Sequence, residues 1–339
     1  MELTKMLSKY QYYVGDKVPP IQRLPSGILA FDIVTGGGIP IGRFTEFYGD
    51  KSTGKSTTSL RFINQFLQRD DRKAVYLDFE NTYDAAWAKC FIQDLDRVIV
   101  VQPDYGELGV DLFIELHKHA DEIGFIILDS LAMIIPTKEV DDDALAQHVA
   151  TQARLVSSML RRALPCISKN NQNKTPITVI LLNQIRMKIG GYGQPNQVTK
   201  PCGKMQDAVV SMDIRFYSKE YKVVSNVPVS VTHQINVEKN KVGGHPKRTA
   251  QFKICLVPSN GLKIGDCEDN DLYLAMMKKL HLIQRDGNKW VYNGNIFKNL
   301  IEVEEQLLHN PEIKQQLYHL ILDKVTTDLS LLVGDDEDA

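Results

Sequence analysis

At 339 residues the chain has room for one large domain and a smaller companion. Hydrophobic residues at 43% and charged residues at 24% are ordinary for a globular protein, and a net charge of −2 excludes a surface that is basic throughout. Any contact with nucleic acid must therefore be local.

The longest apolar runs are too short to span a bilayer. The N-terminus, MELTKMLSKYQYYVGD, has no apolar signal-peptide core. Cys90, Cys166, Cys202, Cys255 and Cys267 form neither a CxxC pair nor a dense framework. Reduced thiols in a cytoplasmic protein without a membrane partner are the expectation.

In chain order, Gly42 to Tyr48 reads as a strand, 49–54 as a loop and Lys55 to Arg69 as a helix. KAVYLDF (73–79), RVIVV (97–101), GFIILD (124–129) and ITVILL (177–182) are further strands. The stretches 83–93, 106–121 and 145–170 between them are long enough for helices. That alternation predicts an α/β fold with a mostly parallel central sheet and helices on both faces. After 208 the strands AVVSMDIRFYS, VSVTHQINVEK and TAQFKICLV follow without helices, as in an antiparallel extension. From about 269 a small module begins, with the helix DLYLAMMKKLHL, the hairpin-like DGNKWVYNGN and helices through 333; GDDEDA closes the chain as an acidic tail.

GDKSTGKS (49–56) fits GxxxxGK[ST] between a predicted strand and a predicted helix. Gly49 and Gly54 would let the N–H groups of the loop Gly49, Asp50, Lys51, Ser52, Thr53 and Gly54 turn toward a polyphosphate, and the helix N-terminus, with Thr57 in its first turn, adds a positive dipole. Lys55 would reach the β and γ phosphates and Ser56 would ligate Mg²⁺. Asp129, at the end of FIILD, is placed to hold Mg²⁺ through water; without the phosphate loop it would read as a strand-end cap. Asp78 and Glu80 end another strand, and Glu80 would orient and deprotonate water over the γ-phosphate. Several strand ends meeting at one crevice is the binding site an open α/β sheet offers.

The run from Ile177 to Leu182 stops on Asn183 and Gln184 and hands over to a glycine-rich loop. Arg186, Lys188, Lys200 and Lys204 give residues 183–206 a charge of +4 with no acidic residue. Gly190, Gly191 and Gly203 would allow close approach of a backbone, and Tyr192 could stack on a base. Loops longer than about 12 residues are uncommon unless functional or disordered.

These motifs are joined by LPSGILAFDIVTGGGIPIGRF, YLDFENTYDAAWAKC, LLNQIRMKIG and INVEKNKVGG, and across 24–339 the chain resembles the bacterial RecA recombinase family. The resemblance implies a RecA-like P-loop ATPase core with a small α+β C-terminal domain. Its expected boundaries are an N-terminal oligomerisation segment at 1–25, with a short helix from Leu3 to Tyr10, a core at 26–268, a C-terminal domain at 269–333 and a tail at 334–339. It implies ATP and Mg²⁺ as ligands, self-association into a helical filament, and single-stranded and homologous double-stranded DNA as partners. Single-strand-binding and mediator proteins are further expected partners.

Residue by residue, Lys55, Ser56, Glu80 and Asp129 match the family's phosphate, Mg²⁺, catalytic and acidic strand-end positions. Asp84 and Trp87 fall where the family contacts and stacks on adenine, with Trp in place of the more usual Tyr. Gln184 matches the glutamine that senses the γ-phosphate at the start of the second DNA-binding loop. Lys239 and Lys241 match a pair that reaches the neighbouring subunit's γ-phosphate. Arg154 and Arg161, on one helix face, match basic positions near the first DNA-binding loop. The chain departs from the family in two places. Glu139 and Asp141 to Asp143 make the first loop acidic, and KPCG stands where the family has Thr-Gly-Gly.

The expected function is an ATP-dependent recombinase that pairs and exchanges DNA strands. A hexameric helicase on the same core is the alternative, and a binding module using ATP as a structural ligand is a third reading that Glu80 argues against.

Overall fold

A computed structural model describes residues 6–7, 15–138, 149–187, 198–202, 205–243, 248–259, 261–328 and 331. Of the N-terminal helix expected at Leu3 to Tyr10, only Met6 and Leu7 are among them, both helical. The acidic first loop and the acidic tail lie outside them.

Eight strands form the main sheet: β1 (Phe44–Gly49), β2 (Lys73–Asp78), β3 (Val98–Val101), β4 (Ile123–Asp129), β5 (Thr178–Gln184), β6 (Met212–Val224), β7 (Val227–Asn240) and β8 (Arg248–Cys255). Their order is β8-β7-β6-β1-β5-β4-β2-β3. The pairs from β6 through β3 are parallel, whereas β6–β7 and β7–β8 are antiparallel. The fold is thus the mixed α/β class expected, with one refinement: the first strand after 208 joins the parallel set. β4 is buried along its whole length at the sheet centre, which is why it reads as an uninterrupted apolar run.

Helices cover both faces. With α1 (Leu29–Thr35) and α2 (Lys55–Leu67), one face buries Phe31, Phe47, Phe62 and Phe216. With α3 (Gly106–Leu116) and α4 (Val149–Gln172), the other buries Phe44, Phe113, Val156 and Leu160. The stretch 83–93, expected as a helix, holds only the single turn Ala85–Ala88.

The C-terminal elements have a core of their own around α5 (Asn270–Lys279) and α6 (Pro311–Thr327), where Met277, Leu317 and Ile321 pack on Leu29 and Ile33 of α1. The expected hairpin is a three-stranded meander, Gln284–Asp286, Lys289–Tyr292 and Asn295–Phe297. Asp32, fully buried in α1, fastens this module to the core: it accepts from Ser26 N (2.8 Å), Ser26 Oγ (2.9 Å), Gly27 N (3.0 Å) and Tyr318 Oη (2.5 Å). None of the five cysteines is in a disulfide. Among the described residues, no helix is long and apolar enough to cross a membrane.

Candidate nucleotide site and nucleic-acid interface

The parallel register sets the site. Gly49 pairs with Gln184 across β1 and β5, and Asp78 with Asp129 across β2 and β4, so the strand C-termini form one row. The turn from β1 into α2 needs glycine at two points. Gly54 sits at φ +91°, where a Cβ would come within 2.8 Å of the His233 ring; a Cβ on Gly49 would come within 2.3 Å of the Phe216 carbonyl oxygen. His233 is buried beneath the loop, and that burial pushes its imidazole down to about 4, so it stays neutral. Lys55 opens α2 and turns its ammonium back onto Gly49 O (3.1 Å) and Asp50 O (2.6 Å). Burial lowers its pKa, with Asp129 and Glu80 opposing that shift. Asp50, Lys51 and Ser52 are exposed, Thr53 is buried with its hydroxyl on Asp50 O (2.9 Å), and Thr57 is half-buried.

Ser56 Oγ donates to Asp129 Oδ2 at 3.0 Å, and Tyr76 Oη donates to the same oxygen at 2.5 Å. Burial, reinforced by Glu80 and Asp78, pushes the Asp129 carboxyl up to about 6, while the Tyr76 and Ser56 hydrogen bonds pull the other way. A hydroxyl and a carboxylate oxygen side by side are the hard donors Mg²⁺ takes, so this pair fits the ion. The Asp129–Ser130 peptide is cis. Ser130 Oγ donates to Glu80 Oε1 at 2.6 Å, and Gln184 Nε2 donates to that same atom at 2.7 Å. Asp78 accepts from Thr82 N (3.2 Å), Tyr83 N (2.9 Å) and Gln102 Nε2 (3.0 Å), which holds the turn that presents Glu80.

Lys55, Ser56, Glu80, Asp129 and Gln184 are therefore brought together. Tyr76, Ser130 and His233 were not singled out from sequence. Tyr76 had a signal, since it lies two residues before Asp78 on the same strand face; His233 had none.

The remaining expected residues sit elsewhere. Asp84 Oδ1 caps the turn at 85–88 by accepting from Ala86 N (2.8 Å) and Trp87 N (3.2 Å), and the half-buried Trp87 meets the Phe91 ring edge-on at 5.1 Å. Lys239 donates to Asp207 O and Lys241 to Ala208 O (2.7 Å), both carbonyls of the short helix Met205–Val209. Arg154 and Arg161 are exposed on α4. Arg186 lies in the two-residue strand Arg186–Met187, paired with Val198–Thr199. Lys188, Gly190, Gly191, Tyr192, Gly203 and Lys204 lie outside the described residues. Lys200 has partners other than the phosphates expected of it. Its side chain is 14% exposed, and its ammonium meets Glu46 (2.8 Å), Asp207 (2.8 Å) and Asp213 (2.7 Å). In this arrangement its charge is committed to carboxylates.

A family model, the RecA N-terminal domain, matches residues 11–262. The chain is 33% identical over 325 residues to Protein RecA of Nautilia profundicola, covering 94% of this chain and 88% of the relative. Against Protein RecA of Campylobacter fetus subsp. fetus it is 36% identical over 287 residues, covering 83% and 78%. Against that of Sulfurimonas denitrificans it is 37% identical over 271 residues, covering 78% and 75%. With a domain model matched over most of the chain and relatives of this identity along nearly all of it, the chain belongs to the RecA family.

Proposed function

We infer that the chain is an ATP-dependent DNA recombinase: it assembles as a filament on single-stranded DNA, pairs it with homologous duplex and exchanges strands while hydrolysing ATP. One observation carries this reading. The Gln184 amide and the Glu80 carboxylate meet at 2.7 Å, on the strand that runs directly into the basic segment 183–206. The division into an oligomerisation segment at 1–25, a core, a C-terminal domain and an acidic tail at 334–339 belongs to the same reading.

The loop N–H groups and the N-terminus of α2 receive the phosphates, and Lys55 exchanges its loop carbonyls for phosphate oxygens. Ser56 and Asp129 hold Mg²⁺, which when bound offsets the charge of the phosphates. Glu80, fixed by Ser130 and Gln184, orients water and accepts its proton. A γ-phosphate competes with Glu80 for the Gln184 amide, so its arrival and departure reposition the end of β5 and the segment beyond it. Arg186, Lys188, Lys204, Arg154 and Arg161 contact the DNA backbone, and Tyr192 stacks on bases between Gly190, Gly191 and Gly203. Lys239 and Lys241 leave the carbonyls of 207 and 208 for the γ-phosphate of a neighbouring subunit. Asp84 and Trp87 face the adenine.

Phosphate release measured with and without single-stranded DNA tests this. Stimulation by the DNA is expected. Equal rates in both conditions would leave the chain a nucleotide-binding protein uncoupled from DNA.

A further inference from the structure

Lys200 lies at the C-terminal end of the basic segment, yet its ammonium is turned inward. Glu46, whose side chain is fully buried, stands on β1 three residues before Gly49. Asp213 is its register partner on β6, and Asp207 lies on the short helix Met205–Val209. The same ammonium sits 4.7 Å above the Tyr48 ring, on the last turnward residue before the phosphate loop. Burial works against the charge of Lys200, but Glu46 and Asp213 overcome it and hold the ammonium above its ordinary value. Burial pushes both of those carboxyls up in turn, with Lys200 pulling each back down and a neighbouring acid adding to the rise.

Two further links extend from this cluster. Asn183 Nδ2 donates to Glu46 Oε1 at 2.9 Å, and Asn183 Oδ1 accepts from the N–H of Gln184 at 2.9 Å. The helix that carries Asp207 also supplies the carbonyls on which Lys239 and Lys241 rest. One half-buried cation thus touches the phosphate-loop strand and the helix that holds the two lysines, and through Glu46 and Asn183 it is linked to the strand end that carries Gln184. Buried charges of this kind act in discrete arrangements, because an acid left without its cation in such a site is costly.

We propose that Lys200 is a positioning residue, an ionic latch that couples the C-terminal end of the 183–206 segment to the nucleotide site, and not a phosphate contact. The inference rests on the recombinase reading given above. Movement of the segment when DNA binds would be transmitted through Lys200 to Glu46 and Asn183, and so to Gln184. With the latch removed, DNA still binds but no longer reaches Gln184.

Lys200→Met keeps an unbranched side chain one atom shorter and removes its charge. Two quantities are read on the full chain: the ratio of phosphate release with and without single-stranded DNA, and the slope of log affinity for that DNA against log salt. The stimulation ratio should fall by about tenfold or more, within the range of ordinary coupling. The salt slope should stay at the wild-type value. A slope reduced by about 0.7, the amount lost with one single-strand phosphate contact, with stimulation intact, would overturn the proposal. Lys200→Arg keeps the charge among the three acids and should hold the ratio within about threefold of wild type. An arginine chain as deficient as the methionine chain would overturn the ionic basis. Should Lys200→Met fail to fold by circular dichroism, Lys200→Met/Asp213→Asn removes one of the stranded acids and is read the same way; retained stimulation in that folded chain overturns the latch. A wild-type chain without DNA stimulation would instead defeat the recombinase reading itself.

Discussion

Replacing Glu80 by glutamine separates basicity from shape. Both hydrogen bonds to Glu80, from Ser130 at 2.6 Å and Gln184 at 2.7 Å, arrive at Oε1. A glutamine carbonyl oxygen can accept both, so the cradle of the side chain survives. Each bond changes from charge-assisted to neutral, a loss of about 1 kcal/mol apiece before solvent screening. Chemistry should suffer more. Loss of a general base typically costs about 10²–10⁴ in rate, and at about 1.36 kcal/mol per tenfold that raises the barrier by about 3–5 kcal/mol. In a phosphate-release assay with saturating single-stranded DNA, kcat should fall by about 10²–10⁴. The affinity for a fluorescent ATP analogue should not fall by more than about threefold, because the basicity removed is used in the transition state and a weaker hold on Gln184 does not oppose the γ-phosphate. Turnover near wild type would mean that another group activates the water. Loss of nucleotide binding in step with turnover would make Glu80 a binding residue and refute the reasoning.

Asp129 is held up to about 6, above the ordinary carboxylate value, so it carries a proton below that pH and must lose it to hold Mg²⁺. The Mg²⁺ concentration for half-maximal hydrolysis should therefore rise as pH falls from 7.5 through 6; a flat profile would remove Asp129 from the metal site. Tyr318→Phe deletes the donor to the buried Asp32 carboxylate at 2.5 Å and should cost about 1.5–3 kcal/mol in urea unfolding, whereas an unchanged midpoint would show that this bond does not hold the C-terminal module. A Lys55→Ala chain still offers Lys239 and Lys241, and a Lys239→Ala/Lys241→Ala chain still offers an intact phosphate loop. Mixing the two inactive proteins should restore hydrolysis at mixed interfaces, and no recovery despite verified co-assembly would count against lysines acting across subunits.

What the sequence conveyed well was local or periodic. The phosphate loop is contiguous, and the apolar runs of β2, β4 and β5 stand out because both of their faces are buried. Glu80, Asp129 and Gln184 were legible as polar residues at or just past strand ends, and the parallel register then aligned them. Cross-chain partners were not legible. Nothing near Lys200 in sequence marks Glu46 or Asp213 as its neighbours, so its charge was read with the rest of the basic segment. Strand β5 was expected to stop at Leu182, yet it continues through Asn183 and Gln184. Asn183 can stay in the buried sheet because Glu46 satisfies its amide at 2.9 Å. The helix expected at 83–93 closes after one turn, where Asp84 caps its start. The third strand of the C-terminal meander is only three residues long and gave no period to detect.

Electron microscopy of the chain with single-stranded DNA and a non-hydrolysable ATP analogue tests the central claim most directly. A helical filament that follows the DNA, and that is absent without nucleotide, is the result expected of a recombinase whose subunits are joined through ATP. Closed rings of fixed subunit number, with or without DNA threaded through them, would contradict it and make the chain a motor on the same core.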